Sequence, residues 1–121
     1  MRHAFITGSA GFIGFYLSKL LLQEGWSVTG LDGLTDYYDV RLKRRRLQML
    51  GQHENFHPIT AMLEDEAAVM ESVAQAKPDV IVHLAAQAGV RYSLENPRAF
   101  IESNVLGTFN VMEAAWVHVC L

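Results

Sequence analysis

One cysteine, Cys120, stands among 121 residues, so an intramolecular disulfide and a cysteine-based zinc cluster are both excluded. That scarcity fits a reducing cytoplasm. Long apolar runs are missing too: charge, glycine or proline interrupts every apolar stretch well short of the ~20 residues that span a bilayer. Met1-Arg2-His3 opens onto a short apolar run and a glycine loop, without the h-region and cleavage site of a secreted chain. Positive charge is not in excess. The formal net charge is −3, which argues against bulk attraction to nucleic acid or to an anionic membrane. The five histidines show no metal-ligand spacing. What remains is a chain that is half apolar and 19% charged, the balance of a folded domain. The expectation is a soluble, cytoplasmic domain, or part of one, that handles a small molecule.

Strand and helix signals alternate along the chain. Ala4-Phe5-Ile6-Thr7 is a β-prone run that stops at Gly8. From Phe12 the apolar positions Ile13, Tyr16, Leu17, Leu20 and Leu21 recur at helical spacing up to Gly25. Ser27–Leu31 reads as a second strand ending on Asp32-Gly33. Asp36 through Leu50 is helix-like, with Leu42, Leu47 and Leu50 on its apolar side and Gly51 as its stop. Asn55–Ile59 is a weak third strand, which Pro58 marks as irregular or exposed. Glu64–Ala76 has an acidic first turn suited to the helix dipole. Asp79–Ala85 is an uninterrupted apolar strand of the kind buried on both faces of a parallel sheet. Asn96-Pro97 then caps and opens a helix expected to run to about Val117. This βαβαβαβα order predicts an α/β Rossmann-like, doubly wound parallel sheet with strand order 3-2-1-4. Residues 1–121 are expected to form the N-terminal portion of such a domain, since a complete one continues into further strands.

The chemical signal lies in Thr7-Gly8-Ser9-Ala10-Gly11-Phe12-Ile13-Gly14, between the first strand and the first helix. Gly8 permits the tight turn, Gly11 lets backbone approach a pyrophosphate, and Gly14 lets helix and strand pack closely. Free amides at the helix start, together with its dipole, favour an anion. Asp32 lies 18 residues beyond Gly14 at the end of the second strand. That is near the ~20-residue spacing at which a carboxylate reaches the adenosine ribose. A carboxylate there accepts from the 2′-OH and repels a 2′-phosphate, so NAD is expected over NADP. No Gly-Lys-Ser/Thr follows the glycines, which excludes a phosphate loop of the NTPase type.

These residues resemble the extended short-chain dehydrogenase/reductase superfamily, whose loop is typically Thr-Gly-x-x-Gly-Phe-Ile-Gly. Leu31-Asp32-Gly33-Leu34-Thr35-Asp36-Tyr37-Tyr38-Asp39-Val40 with Leu42-Lys43 is similar to bacterial UDP-glucuronate 4-epimerases and related nucleotide-sugar epimerases. So are His83 through Pro97 and Ser103 through Thr108. The resemblance covers Ala4 to about Ala115, the N-terminal third or so of such an enzyme. It implies that Gly8, Gly11, Phe12, Ile13 and Gly14 lie against the pyrophosphate of NAD. Asp32 and Gly33 would border the adenosine. Leu63, Leu84, Ala85, Ala86 and Gln87 would border the rest of the cofactor, with Asn104 facing the same strand end. Arg91 and Ser93 fall near where the family's nucleotide sugar binds, and a forked guanidinium suits a phosphate or a uronate carboxylate. Two positions depart from the family. Met62 stands where an Asp usually contacts the adenine amino group, and Gly33 stands where Asn is common.

The family's reaction, C4 epimerisation of a UDP-sugar through a 4-keto intermediate, begins at a Tyr-x-x-x-Lys pair. Here Tyr16, Tyr37, Tyr38 and Tyr92 are followed four positions later by Leu20, Arg41, Leu42 and Asn96. The chain alone is therefore expected to be inactive, with no catalytic or metal-binding residue assigned within it. The alternatives are a non-catalytic dinucleotide-binding module, a fragment of a nucleotide-sugar dehydratase, or a piece that packs and binds nothing. The basic run Arg41–Arg46 reads as a solvated helix face, and His83 as a packed strand histidine. The fourth strand and the apolar positions Ile101, Val105, Phe109, Met112 and Trp116 predict a homodimer or an exchange of elements.

Overall fold

The computed structural model describes residues 1–34, 40–86 and 94–119. Four strands, β1 (His3–Thr7), β2 (Ser27–Asp32), β3 (Phe56–Thr60) and β4 (Val80–His83), form one sheet in the order β3-β2-β1-β4. All three pairings are parallel, with Phe5 set between Thr29 of β2 and Ile81 of β4. The helices are α1 (Phe12–Gln23), α2 (Val40–Leu50), α3 (Glu66–Ala76), α4 (Pro97–Ile101) and α5 (Gly107–His118). A π-helical turn, Glu102–Leu106, joins the last two.

Alternation along β1 divides the core in two. Ala4 and Ile6 face a cluster with Phe15 and Leu22 of α1, Val28, Leu50 and Phe56. Phe5 faces the opposite cluster, with Leu31, Leu63, Val69, Val73, Val111 and Ala114. Each fully buried large apolar side chain contributes about 1.5–3 kcal/mol, so the central strand is the anchor of both layers. Asp65 accepts from the Ala68 N–H at 3.1 Å to cap α3, and Asn96 accepts from the Ala99 N–H at 3.3 Å to cap α4. Gly25, at φ 90, takes the left-handed turn that ends α1 and returns the chain to β2.

The structure differs from the sequence expectations at several elements. In α2 the inward face carries Lys43, Leu47 and Leu50, at i, i+4 and i+7, while Leu42 is exposed. The hydropathy of a helix rich in arginine gives little indication of its phase. Residues 36–39, expected at the start of this helix, lie outside the described residues. β3 is exposed as expected but regular: Pro58 pairs in register with Gly30 on an edge strand, where a missing N–H is tolerated. α3 begins at Glu66, because Asp65 is its cap, leaving Glu64 in the preceding turn. β4 is half-buried rather than buried on both faces, since among the described residues it forms the other sheet edge.

Candidate functional site

The loop between β1 and α1 shows why three of its positions are glycine. Gly8, at φ 80, donates its N–H to the Leu31 carbonyl at 2.7 Å and lies close under the chain leaving β4. A Cβ there would meet the Ala85 nitrogen at 3.0 Å, and one at Gly14 would meet the Gly8 carbonyl oxygen at 2.0 Å. Helix and strand approach at that point with no room for a methyl group. Gly11, in extended conformation, precedes α1 and offers no side-chain cap, and the first turn of the helix carries no acid. The amides at the helix start thus meet no side-chain acceptor at the cap, an arrangement suited to an anion. Arg46 of α2 supports the loop from behind, donating to the Ala10 carbonyl at 3.1 Å and lying 6.0 Å from the centre of the Phe15 ring.

Asp32 closes the loop from β2. Its carboxylate accepts from the Ala10 N–H at 3.1 Å and from the Leu34 N–H at 2.8 Å. One oxygen serves each amide, and each retains a lone pair for another donor. Beside it, a Cβ on Gly33 would come within 2.5 Å of the Met62 sulfur. The two departures from the family pattern are therefore one packing solution: the Met62 thioether occupies the space that a side chain at position 33 would need.

At the end of β4 a chain of hydrogen bonds fixes the backbone. The Thr7 hydroxyl oxygen accepts from the Leu84 and Ala85 N–H groups at 2.9 and 3.1 Å and lies 2.7 Å from His83 Nδ1. His83 Nε2 lies 3.0 Å from the Thr108 hydroxyl, which donates to the Asn104 carbonyl at 2.6 Å. A carbonyl only accepts, so Thr108 spends its proton there and must accept from Nε2–H. Nδ1 is then the acceptor for the Thr7 hydroxyl, and His83 is the neutral Nε2–H tautomer. Burial lowers its pKa below the ordinary 6.5, in keeping with that form.

These parts surround a cavity of about 360 Å³. Gly8, Gly11, Phe12, Ile13 and Gly14 form one wall, and Phe12 and Ile13 are 68% and 64% exposed at its mouth. Asp32, Gly33 and Leu63 form the second wall, and Leu84, Ala85 and Ala86 the third. Asn104 is not in the wall, whereas its neighbour Ser103 is. Gln87, Arg91 and Ser93 lie outside the described residues.

Besides Ser103, the wall holds Leu31, Lys43, Met62 and Glu64, none of them among the site residues assigned from the sequence. Lys43, only 7% exposed, departs from the reading of the basic run as a solvated face, which Arg41, Arg44 and Arg45 follow. Its spacing from Leu47 and Leu50 is the signal that could have found it. Met62 stands out in the sequence only as a departure, and Glu64 reads there as part of a helix.

The family profile described as GDP-mannose 4,6 dehydratase matches residues 5–119. A probable UDP-glucuronate 4-epimerase of Rhizobium meliloti (strain 1021) is 56% identical over 110 residues, covering 91% of this chain and 32% of that protein. The UDP-glucose 4-epimerase of Thermus thermophilus, solved in complex with NAD, superposes with a TM-score of 0.82 at 30% identity, over 97% of this chain and 34% of that one. The UDP-glucuronic acid 4-epimerase of Bacillus cereus, solved with UDP-glucuronic acid and NAD, gives a TM-score of 0.85 at 28% identity, over 94% and 36%. The chain thus spans about a third of the length of the proteins it matches.

Proposed function

The chain belongs to the family described as GDP-mannose 4,6 dehydratase, and from that premise we propose that residues 1–121 form the N-terminal, NAD-binding portion of a nucleotide-sugar epimerase. The observation that carries this reading is the uncapped start of α1, facing Asp32 across one cavity. A Cβ at Gly8 or Gly14 would collide with the backbone that shapes that cradle, so the glycines present fit a dinucleotide laid across the strand ends. The amides before α1 would hold the pyrophosphate. Asp32, already oriented by two backbone N–H groups, would accept from the ribose hydroxyls. When bound, NAD supplies the hydride acceptor and donor that C4 epimerisation requires. Gln87 and Asn104 belong to the proposed cofactor set, and Arg91 and Ser93 to the side that takes the sugar nucleotide, with UDP-glucuronate as the favoured substrate. A cytoplasmic location is part of the same proposal, and no described helix is long and apolar enough to cross a membrane.

Titration calorimetry tests the reading. NAD should bind more tightly than NADP, and Asp32→Ala should erase most of that preference. Unchanged preference in the variant would refute the role given to Asp32. A second reading, a binder without turnover, draws on the lack of a Tyr-x-x-x-Lys pair anywhere in the 121 residues. The pure chain should therefore bind NAD yet leave UDP-glucuronate unconverted, and turnover would defeat that expectation. We also place self-association on the exposed apolar face of Ile101, Val105, Phe109, Met112 and Trp116. Sedimentation as a stable monomer at high concentration would contradict it.

A further inference from the structure

The turn between β3 and α3 carries a carboxylate that the reading above leaves without a task. The Asp65 N–H donates to the Met62 carbonyl at 3.1 Å, which closes the turn around Leu63 and Glu64. Buried Asn110 of α5 donates its Nδ2–H to the Leu63 carbonyl at 2.8 Å. Gly107 lets Leu63 seat against the same helix, since a Cβ there would lie 2.6 Å from the Leu63 Cβ. The backbone that presents Glu64 is thus held from both sides.

Glu64 contributes to the same cavity as Asp32, Gly33 and Met62. Its Oε2 is buried and meets no donor among the described residues. A buried carboxylate oxygen without a partner is costly, and a side-chain rotation that turns it into the cavity toward a donor there relieves that cost. Met62 beside it offers an apolar, polarizable surface suited to the edge or face of a ring, and no strong acceptor. A flat heterocycle bearing an exocyclic amine satisfies both neighbours at once.

We propose that Glu64 is the specificity-determining residue at the adenosine end of the cavity, its carboxylate turning into the cavity to accept from the 6-amino group of the purine. This rests on the dinucleotide reading above. A 6-oxo purine places a carbonyl oxygen, acceptor against acceptor, at the same point, and is disfavoured. Glutamine at position 64 keeps the shape and adds a donor, so it suits either purine.

The test compares NAD with nicotinamide hypoxanthine dinucleotide, and AMP with IMP, by titration calorimetry. In the unaltered chain each 6-amino compound should bind about tenfold more tightly than its 6-oxo partner. In Glu64→Gln the two dinucleotides should fall within about threefold of each other. Equal affinities in the unaltered chain, or a preference unchanged by Glu64→Gln, would overturn the assignment while leaving NAD binding intact. Absence of binding by all four compounds would overturn the assignment and the cofactor reading together. Should the variant not fold, the ratio in the unaltered chain decides alone.

Discussion

β1 and β4 are neighbours in one sheet with similar apolar sequences, yet they live in different surroundings. From Ala4 to Thr7 every residue of β1 is fully buried, whereas Val80 is 38% exposed and Ile81, Val82 and His83 are half-buried. The helices that follow repeat the contrast. α1 is pressed on the strand at the Gly8–Gly14 contact, while α5 turns Phe109, Met112 and Trp116 outward. Burial is decided by place in the sheet order and not by the hydropathy of the strand. The first unit makes the fold stand, and the last presents surface.

The contrast is tested most severely at Gly14. A methyl group there collides with backbone, so Gly14→Ala should cost at least about 3 kcal/mol or abolish folding, measured by urea denaturation. A loss under about 1 kcal/mol would show that the contact relaxes and that the first unit is not the anchor. Arg46→Ala removes the brace on the Ala10 carbonyl and should cost about 1 kcal/mol by the same measurement.

Acid should act on the β4 side through His83. Its pKa is lowered by burial, so the unfolded chain binds the proton more readily than the folded one. Stability is then full above pH 6.5 and is lost as pH falls through 6.5 toward the lower folded value. His3 is lowered as well, by burial first and then by neighbouring His57, with Asp79 opposing, and adds a slope of the same sign. His83→Asn should flatten the profile only in part, leaving the share of His3. An unaltered profile would show that the Thr7–His83–Thr108 chain does not bind the two units together. The smallest effect is expected on the outward face. Phe109→Gln should change stability by no more than about 0.5 kcal/mol while reducing self-association in sedimentation.

The first unit was legible in the sequence because its signals are local. Glycines at 8, 11 and 14 sit at one turn, and the apolar run before them is short and unambiguous. The strand order followed from the alternation of elements. The rest depended on contacts between distant segments. The inward phase of α2 is set by Leu50 reaching the core and by Lys43 reaching the cavity, and six consecutive residues with five positive charges conceal it. Gly33 and Met62 look like separate departures until the sulfur is seen in the space of the missing Cβ. The apolar spacing from Ile101 to Trp116 reads as an uninterrupted α-helix, and nothing in it announces Glu102–Leu106 as a π turn.

That turn sets a rule for the length of the helix. The Gly107 N–H reaches back five residues to the Glu102 carbonyl, so the segment holds one residue more than the α-helical turn it replaces. Each residue advances a helix by about 100°. Deleting one residue between 102 and 106 would let the ladder close as ordinary α-helix, with its hydrogen bonds intact. It would also rotate α5 relative to α4 by that angle. Ser103 could then face the cavity, or Asn110 could face Leu63, but not both. The outward residues of this helix are open to substitution, whereas their number is fixed. Insertions and deletions, not replacements, are the changes it will not survive.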